Sequence, residues 1–112
     1  MGLRRYLGES IRVRGLVQGV GFRPTVWRLA QDHGLVGDVR NDGEGVLIRV
    51  WPGLASDPDS IDRFCASLRA QCPPLARIDT IERATLGIDP PSSGFSILAS
   101  SATRVRTGVV PD

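Results

Sequence analysis

The sequence of 112 residues predicts an α+β domain in which an antiparallel sheet has two helices on one face. Short runs of alternating apolar and polar residues predict strands, and two longer runs with apolar residues every three or four positions predict helices. These elements follow one another in the order strand, helix, strand, strand, helix, strand. The chain is 41% hydrophobic and 23% charged, as is typical of a globular domain.

The first half of the chain predicts one strand, one helix and a hairpin. In SIRVRGLV, apolar residues alternate with Arg12 and Arg14, which indicates a strand with one face open to solvent. The helix is predicted to begin at Pro24 and to end at Gly34. Two further strands follow, and the turn-forming residues Asn41–Gly45 are expected to join them.

The second half predicts a helix and two strands. Asp57 is expected to be the N-cap and Pro58 the first helical residue. In the next β-prone run, Ile78 and Ile81 fall on opposite faces, which predicts either a β-bulge or a late start of the strand. A short closing strand is expected in GFSILAS. The complete order predicts a ferredoxin-like βαββαβ sandwich with a short extra C-terminal strand.

The domain boundaries follow from these elements. Residues 1–10 are interpreted as an N-terminal extension, and residues 11–99 as a single domain. Residues 100–112 are polar and show no periodic pattern, so they are predicted to be a linker toward a further region.

Composition argues against several functions. All 14 basic residues are arginine, which excludes lysine chemistry, and a net charge of +2 does not indicate nucleic-acid binding. No apolar run approaches the roughly 20 residues that span a bilayer, and no signal sequence is visible, so no membrane contact is expected and the cytoplasm is predicted. Cys65 and Cys72 fall on one helical stripe about 10 Å apart, and are predicted to stay reduced and to bind no metal.

The stretch GLVQGVGFRP has an unusual density of glycine. It begins a GxGxxG pattern, but Pro24 takes the place of the last glycine, and a P-loop would need a lysine. One interpretation is a tight turn in which Gly19 and Gly21 adopt positive φ. The other is a loop whose backbone N–H groups converge on an anion at a helix N-terminus.

Arg23 favours the anion-binding interpretation. Since Pro24 disfavours helical dihedral angles at the residue before it, we expect Arg23 to stand just outside the helix. From there its guanidinium could contact the same anion.

These residues resemble the acylphosphatases, small enzymes that hydrolyse carboxyl phosphates and share this sandwich. VRGLVQGVGFRP, followed by GDVRNDGEGVLI, gives a resemblance that extends from Ile11 to Ala99. It implies that Arg23 binds phosphate and that Asn41 positions the attacking water, without a metal. On the residues alone, Asn41 before Asp-Gly is typical of a turn. The phosphate loop implied by the resemblance comprises the backbone amides of Gln18, Gly19, Val20, Gly21 and Phe22.

A narrower resemblance is to the acylphosphatase-like domain of the HypF-type carbamoyltransferases, which take part in nickel–iron hydrogenase maturation. It rests on CPPLARIDTIER, RNDGEGV and the ending VVPD. It implies hydrolysis of carbamoyl phosphate during synthesis of the cyanide ligand. It also implies that zinc and ATP bind only in the remainder of a longer protein, and that a maturation partner accepts the carbamoyl group.

Two alternatives stay open. The chain could be a stand-alone acylphosphatase, or a regulatory domain that binds carbamoyl phosphate without hydrolysing it. An RNA-binding module of the same topology would need aromatic residues on its central strands, and here only Trp51 is present.

Overall fold

The computed structural model describes residues 7–53, 57, 59–91 and 94–99. Its elements are β1 (Gly8–Leu16), α1 (Phe22–Asp32), β2 (Leu35–Asp42), β3 (Gly45–Pro52), α2 (Ser60–Ala70), β4 (Arg77–Leu86) and β5 (Phe95–Ile97). The predicted ferredoxin-like order, with its short extra strand, is confirmed. Because β1 begins at Gly8, the boundary predicted at Ile11 falls inside this strand. The predicted linker 100–112 lies outside the described residues.

The sheet has the strand order β4-β1-β3-β2-β5. The first four strands are antiparallel, whereas β5 runs parallel to β2, so the sheet is mixed. The predicted bulge is present: Arg14 pairs with Thr80 but Gly15 pairs with Ile78, which leaves Asp79 as the extra residue. This bulge in β4 therefore accounts for the break in the alternating pattern between Ile78 and Ile81.

The core lies between the sheet and the two helices. Alternate strand residues point toward the helices, as the alternating pattern predicts, and the apolar stripe of each helix covers them. Fully buried members include Ile11, Val13, Ile48 and Val50 of the sheet, Val26 and Leu29 of α1, and Phe64 and Leu68 of α2.

Both helices begin at residues other than those predicted. Helix α1 starts at Phe22 rather than at Pro24, and α2 starts at Ser60, with Asp59 rather than Asp57 as its N-cap. The first backbone N–H groups of a helix have no intrahelical acceptor, so Pro24 is tolerated as the third residue of α1. Asp57 instead forms a turn before α2, since its carboxylate accepts from the N–H of Asp59.

Three arginines on the face opposite the helices are paired with carboxylates. Arg40 lies on the same face, and its buried Nε has no hydrogen-bond partner among the described residues. Arg49 forms two hydrogen bonds with Asp38, at 3.0 and 2.6 Å. Arg12 pairs with Asp42, and Arg14 with Glu82 and Glu44. Arg12 and Arg14 were predicted on a face open to solvent; both lie on that face, and each is also bound to a carboxylate.

The two cysteines are free thiols, but they are not equivalent. Cys65 is buried in α2, and this burial raises its pKa to about 11. Cys72 is half-buried and lies beyond the end of α2 at Ala70, so the prediction that both share one helical stripe is wrong.

Candidate active site

The loop between β1 and α1, residues 17–21, is fixed at both ends and open in its middle. Val17 and Phe22 are buried in the core and anchor its two ends. Gly19 and Gly21 have φ of 75° and 81°, and Gly21 is the N-cap of α1. A Cβ atom at either glycine would have nothing within 4 Å. The space above this backbone is therefore available, and the loop opens onto a helix N-terminus, where backbone N–H groups attract anions.

Gln18 joins this loop to the β2–β3 hairpin. Its side-chain Nε2 donates hydrogen bonds of 2.9 Å to the backbone oxygens of Asp42 and Gly45. These two oxygens bracket the turn formed by Gly43 and Glu44. The predicted role of Gln18 concerned only its backbone amide; the side-chain contact was missed, because its acceptors lie 24 and 27 residues away.

Arg23 lies in the first turn of α1, not outside the helix as predicted. The restriction that Pro24 imposes on it is a preference, and the helix overrides it. The side chain is half-buried, and Nη1 donates to the carbonyl oxygen of Leu98 at 3.3 Å. Among the described residues, no carboxylate forms an ion pair with this guanidinium.

Asn41 lies on β2, on the same face of the sheet as the helices. It pairs with Val46, whose side chain is buried in the core, and it is itself only 3% exposed. Its Oδ1 atom is buried and has no hydrogen-bond partner among the described residues. Because β2 continues through Asp42, Asn41 is not a turn former. A buried acceptor without a partner is uncommon and is a natural position for a hydrogen bond to a bound molecule.

The structure connects Arg23 and Asn41 indirectly, through Leu98 and through Gln18. Leu98 accepts from Arg23, and its own N–H donates to Val39, two residues before Asn41, at 2.8 Å. On the other side, Gln18 binds the hairpin directly after Asn41. The loop, the start of α1 and the end of β2 thus form one connected cluster.

Asp42, the acidic residue directly after Asn41, is paired with Arg12. Burial raises the pKa of Asp42, but hydrogen bonds from Arg12 and from the N–H of Glu44 lower it by more, and the pKa lies below its ordinary value. Asp42 therefore remains a carboxylate paired with Arg12.

An open depression of about 380 Å³ lies next to the cluster. Its lining residues are Arg14, Gly15, Leu16, Val17, Gln18, Gly43, Glu44 and Gly45. Neither Arg23 nor Asn41 contributes to it, so it flanks the predicted anion site without coinciding with it.

Neither a metal centre nor a membrane span is found in the part of the chain that the structure describes. No group of three or more histidine, cysteine, aspartate or glutamate side chains there is placed to hold a metal ion. No helix there has the length and apolar character needed to cross a bilayer.

Comparison with known proteins gives consistent matches. Carbamoyltransferase HypF of Rhodobacter capsulatus is 53% identical over 102 residues, which are 91% of this chain and 13% of that protein. An acylphosphatase of Mannheimia succiniciproducens is 40% identical over 76 residues, 68% of this chain and 80% of that protein. A solved structure of full-length HypF, in a phosphate- and nucleotide-bound form, superimposes with a TM-score of 0.75 at 28% identity, covering 89% of this chain and 13% of that one.

These matches confirm the predicted resemblance to HypF-type carbamoyltransferases, of which this chain spans about 13% of the length. The acylphosphatase family model matches residues 9–97, which include the glycine loop, Arg23, Asn41 and the β2–β3 hairpin. The chain therefore belongs to the acylphosphatase family.

Proposed function

We propose that this chain hydrolyses acyl phosphates, with carbamoyl phosphate as its substrate, and that it does so in the cytoplasm as one domain of a HypF-type carbamoyltransferase. One observation supports the activity above all others. The open glycine loop at the start of α1 is joined, through the side chain of Gln18, to the hairpin next to Asn41, whose buried Oδ1 has no hydrogen-bond partner among the described residues.

Each part of the cluster has a distinct task in this reaction. The backbone N–H groups of residues 18–22 and the guanidinium of Arg23 bind the phosphoryl oxygens, whose charge they stabilise. Asn41 accepts a hydrogen bond from the attacking water and directs it toward phosphorus in line with the leaving carboxylate. An acyl phosphate is a mixed anhydride with a good leaving group, so positioning and charge stabilisation are sufficient and no general base is required.

Arg23 has to accept the substrate as a new partner in this mechanism. In the structure its Nη1 donates to Leu98 at 3.3 Å, a long contact to a neutral oxygen. A phosphoryl dianion is a stronger acceptor, because hydrogen bonds between two charged groups are shorter and stronger than those to a neutral carbonyl. The guanidinium can therefore exchange the carbonyl for the substrate or donate to both.

The substrate and the biological setting are supported by the relatives. Proteins up to 53% identical to this chain are named carbamoyltransferase HypF, and a carbamoyltransferase handles a carbamoyl donor. We place this chain in hydrogenase maturation, with zinc and ATP bound by other parts of the longer protein and with a partner that accepts the carbamoyl group. The reducing cytoplasm fits the two free thiols.

Phosphate release from the purified chain tests the activity directly. Carbamoyl phosphate and acetyl phosphate should both be hydrolysed well above the uncatalysed rate, and carbamoyl phosphate with the higher kcat/KM. An alkyl phosphate monoester such as glycerol 3-phosphate is the control, and it should be a poor substrate because its alkoxide leaving group needs a proton and the proposed mechanism contains no general acid. Binding of carbamoyl phosphate without turnover would contradict the proposal and would favour a regulatory domain. Preference for acetyl phosphate would contradict the substrate alone.

A further inference from the structure

Among the described residues, the side chain of Gln18 joins residues 17–21, which we call the anion loop, to the β2–β3 hairpin. Gln18 lies on the exposed side of the loop, yet both N–H groups of its carboxamide are engaged, each at 2.9 Å from a backbone oxygen. Asp42, which provides one of these oxygens, is directly bonded along the chain to Asn41. Gln18 therefore links the loop that would hold the phosphate to the residue that would hold the water.

The hairpin is already fixed relative to β1, and Gln18 completes this connection. At Gly45, which has a φ of 125°, a Cβ atom would overlap the carbonyl oxygen of Val13, so β3 and β1 approach closely here. Arg14 adds a longer contact of 3.4 Å to the backbone oxygen of Glu44. The three backbone oxygens of residues 42, 44 and 45 thus all accept from β1 or from the loop that follows it.

We infer that Gln18 is a positioning residue that sets the distance between the anion loop and Asn41, and so aligns bound phosphate with the attacking water. This inference rests on the proposed function, because the alignment matters only if water attacks phosphorus. Backbone amides and Arg23 grip the phosphate whether or not Gln18 is present, so its loss should lower kcat much more than it raises KM. Misplacing reacting groups by about 1 Å is sufficient to cost orders of magnitude in rate.

Substitutions of Gln18 separate positioning from packing. Gln18→Glu keeps the size of the side chain but replaces both donors with acceptors that face two backbone oxygens, and Gln18→Ala removes the side chain. Each should lower kcat by about 10-fold or more while KM changes by less than about 3-fold. Gln31 is exposed on α1, so Gln31→Glu is the matched control for the added charge and should leave both constants unchanged.

A double-mutant cycle with Asn41 decides whether the two residues act together. If Gln18 acts by aligning Asn41, then Gln18→Ala should have little further effect on kcat in an Asn41→Ala background. The positioning role would be overturned if the double variant lost kcat by the product of the two single losses. It would also be overturned if the Gln18 variant differed from the wild type only in a lower melting temperature. Either result could be obtained with an active acylphosphatase.

A binding measurement keeps the inference testable if the chain proves to be inactive. Inorganic phosphate, followed by amide chemical shifts, should perturb both the loop and the hairpin residues 43–45 in the wild type. In Gln18→Ala, it should perturb the loop alone. The same pattern in both proteins would overturn the inference. A wild type that neither hydrolyses acyl phosphates nor binds phosphate would overturn both this inference and the proposed function.

Discussion

The anion loop and the sheet face opposite the helices, which we call the open face, both have glycine and arginine residues. The two regions differ in what these residues contact. On the open face, Arg49 binds the carboxylate of Asp38 with two hydrogen bonds. In the sheet, a Cβ atom at Gly37 would overlap the carbonyl oxygen of Arg49. At the loop, the described residues offer Arg23 a carbonyl oxygen at 3.3 Å and no carboxylate, and none of them lies within 4 Å of a Cβ atom built at Gly19.

This difference separates residues that the fold uses from residues that remain available to a ligand. An arginine bound to a carboxylate has its charge compensated within the chain, whereas one bound only to a neutral oxygen can still attract an anion. Likewise, a glycine that allows two strands to approach serves packing, and one with open space above it lets a ligand approach the backbone. Residue type alone does not distinguish the two roles; the neighbouring atoms do.

The largest expected effect is on stability, at Gly37. Gly37→Ala places a Cβ atom against the backbone of β3 at a φ of 142°, which side chains rarely adopt. Overpacking and backbone strain together should lower the free energy of unfolding by about 2–6 kcal/mol. Chemical denaturation measures this loss.

Gly43 is the matched control for Gly37. Its Cβ position is open and its φ is not in the left-handed region, so Gly43→Ala should change stability by less than about 0.5 kcal/mol. If the two variants were equally stable, the surroundings of the Cβ position would not distinguish a glycine needed for packing from one with open space beside it.

The next effect is on catalysis, at Asn41. Asn41→Ala removes the group proposed to hold the water, so kcat for acyl phosphate hydrolysis should fall by about 10²–10³. Phosphate binding should stay nearly intact, because the loop and Arg23 are unchanged. A loss of phosphate affinity as large as the loss of rate would show that Asn41 does not act on water. Thermal melts of the variant check that it is folded.

A somewhat smaller effect is expected on anion binding, at Arg23. Removing a charge-assisted contact costs about 1.5–3 kcal/mol, so Arg23→Ala should bind phosphate roughly 10- to 150-fold more weakly. Phosphate should therefore raise the melting temperature of the wild type but not of the variant. Arg28 is the matched control: it lies on the exposed side of α1, 3.9 Å from Asp32, so Arg28→Ala should retain the phosphate-induced shift. Identical shifts for wild type and Arg23→Ala would remove Arg23 from the site.

Much of the fold could be predicted because local patterns determine it. The alternating residues of β1 and the apolar stripes of the two helices indicated buried residues of the core. The break in the alternating pattern between Ile78 and Ile81 lies at the bulge. The helix starts were less predictable, since Pro24 is compatible with any of the first helical positions and only the surrounding structure selects one.

The candidate site was predicted only in part, because its geometry depends on contacts distant in sequence. The glycine loop and Arg23 are adjacent in the chain, so their proximity could be expected. The contact of Gln18 with the hairpin and that of Arg23 with Leu98 join residues 24 to 75 positions apart, and no local pattern indicates them. Burial of Asn41 likewise depends on the face of β2 on which it falls, and this distinguishes it from a turn residue.

The smallest expected effect tests the open face, at Asp42. Burial raises the pKa of this carboxyl, but hydrogen bonds from Arg12 and Glu44 lower it below the ordinary value. A pKa that is lower in the folded state contributes stability above the unfolded value of about 4, and this contribution is lost as the pH falls through the folded value. Asp42→Asn should therefore lower the free energy of unfolding at pH 7. The loss should be less than about 1 kcal/mol, because the pair is partly exposed. The difference in unfolding free energy between the variant and the wild type should disappear in acid.

Phosphate affinity at pH 7 should be the same in Asp42→Asn as in the wild type, because the backbone oxygen that Gln18 binds is retained. The unfolding free energy of both proteins between pH 2 and pH 7, together with a phosphate titration, measures the two quantities separately. If the difference in unfolding free energy between the two proteins does not change with pH, the Arg12–Asp42 pair adds no electrostatic stability. A change in phosphate affinity would mean that the charges of the open face also act on the loop, and the two regions would then have to be treated as one electrostatic unit.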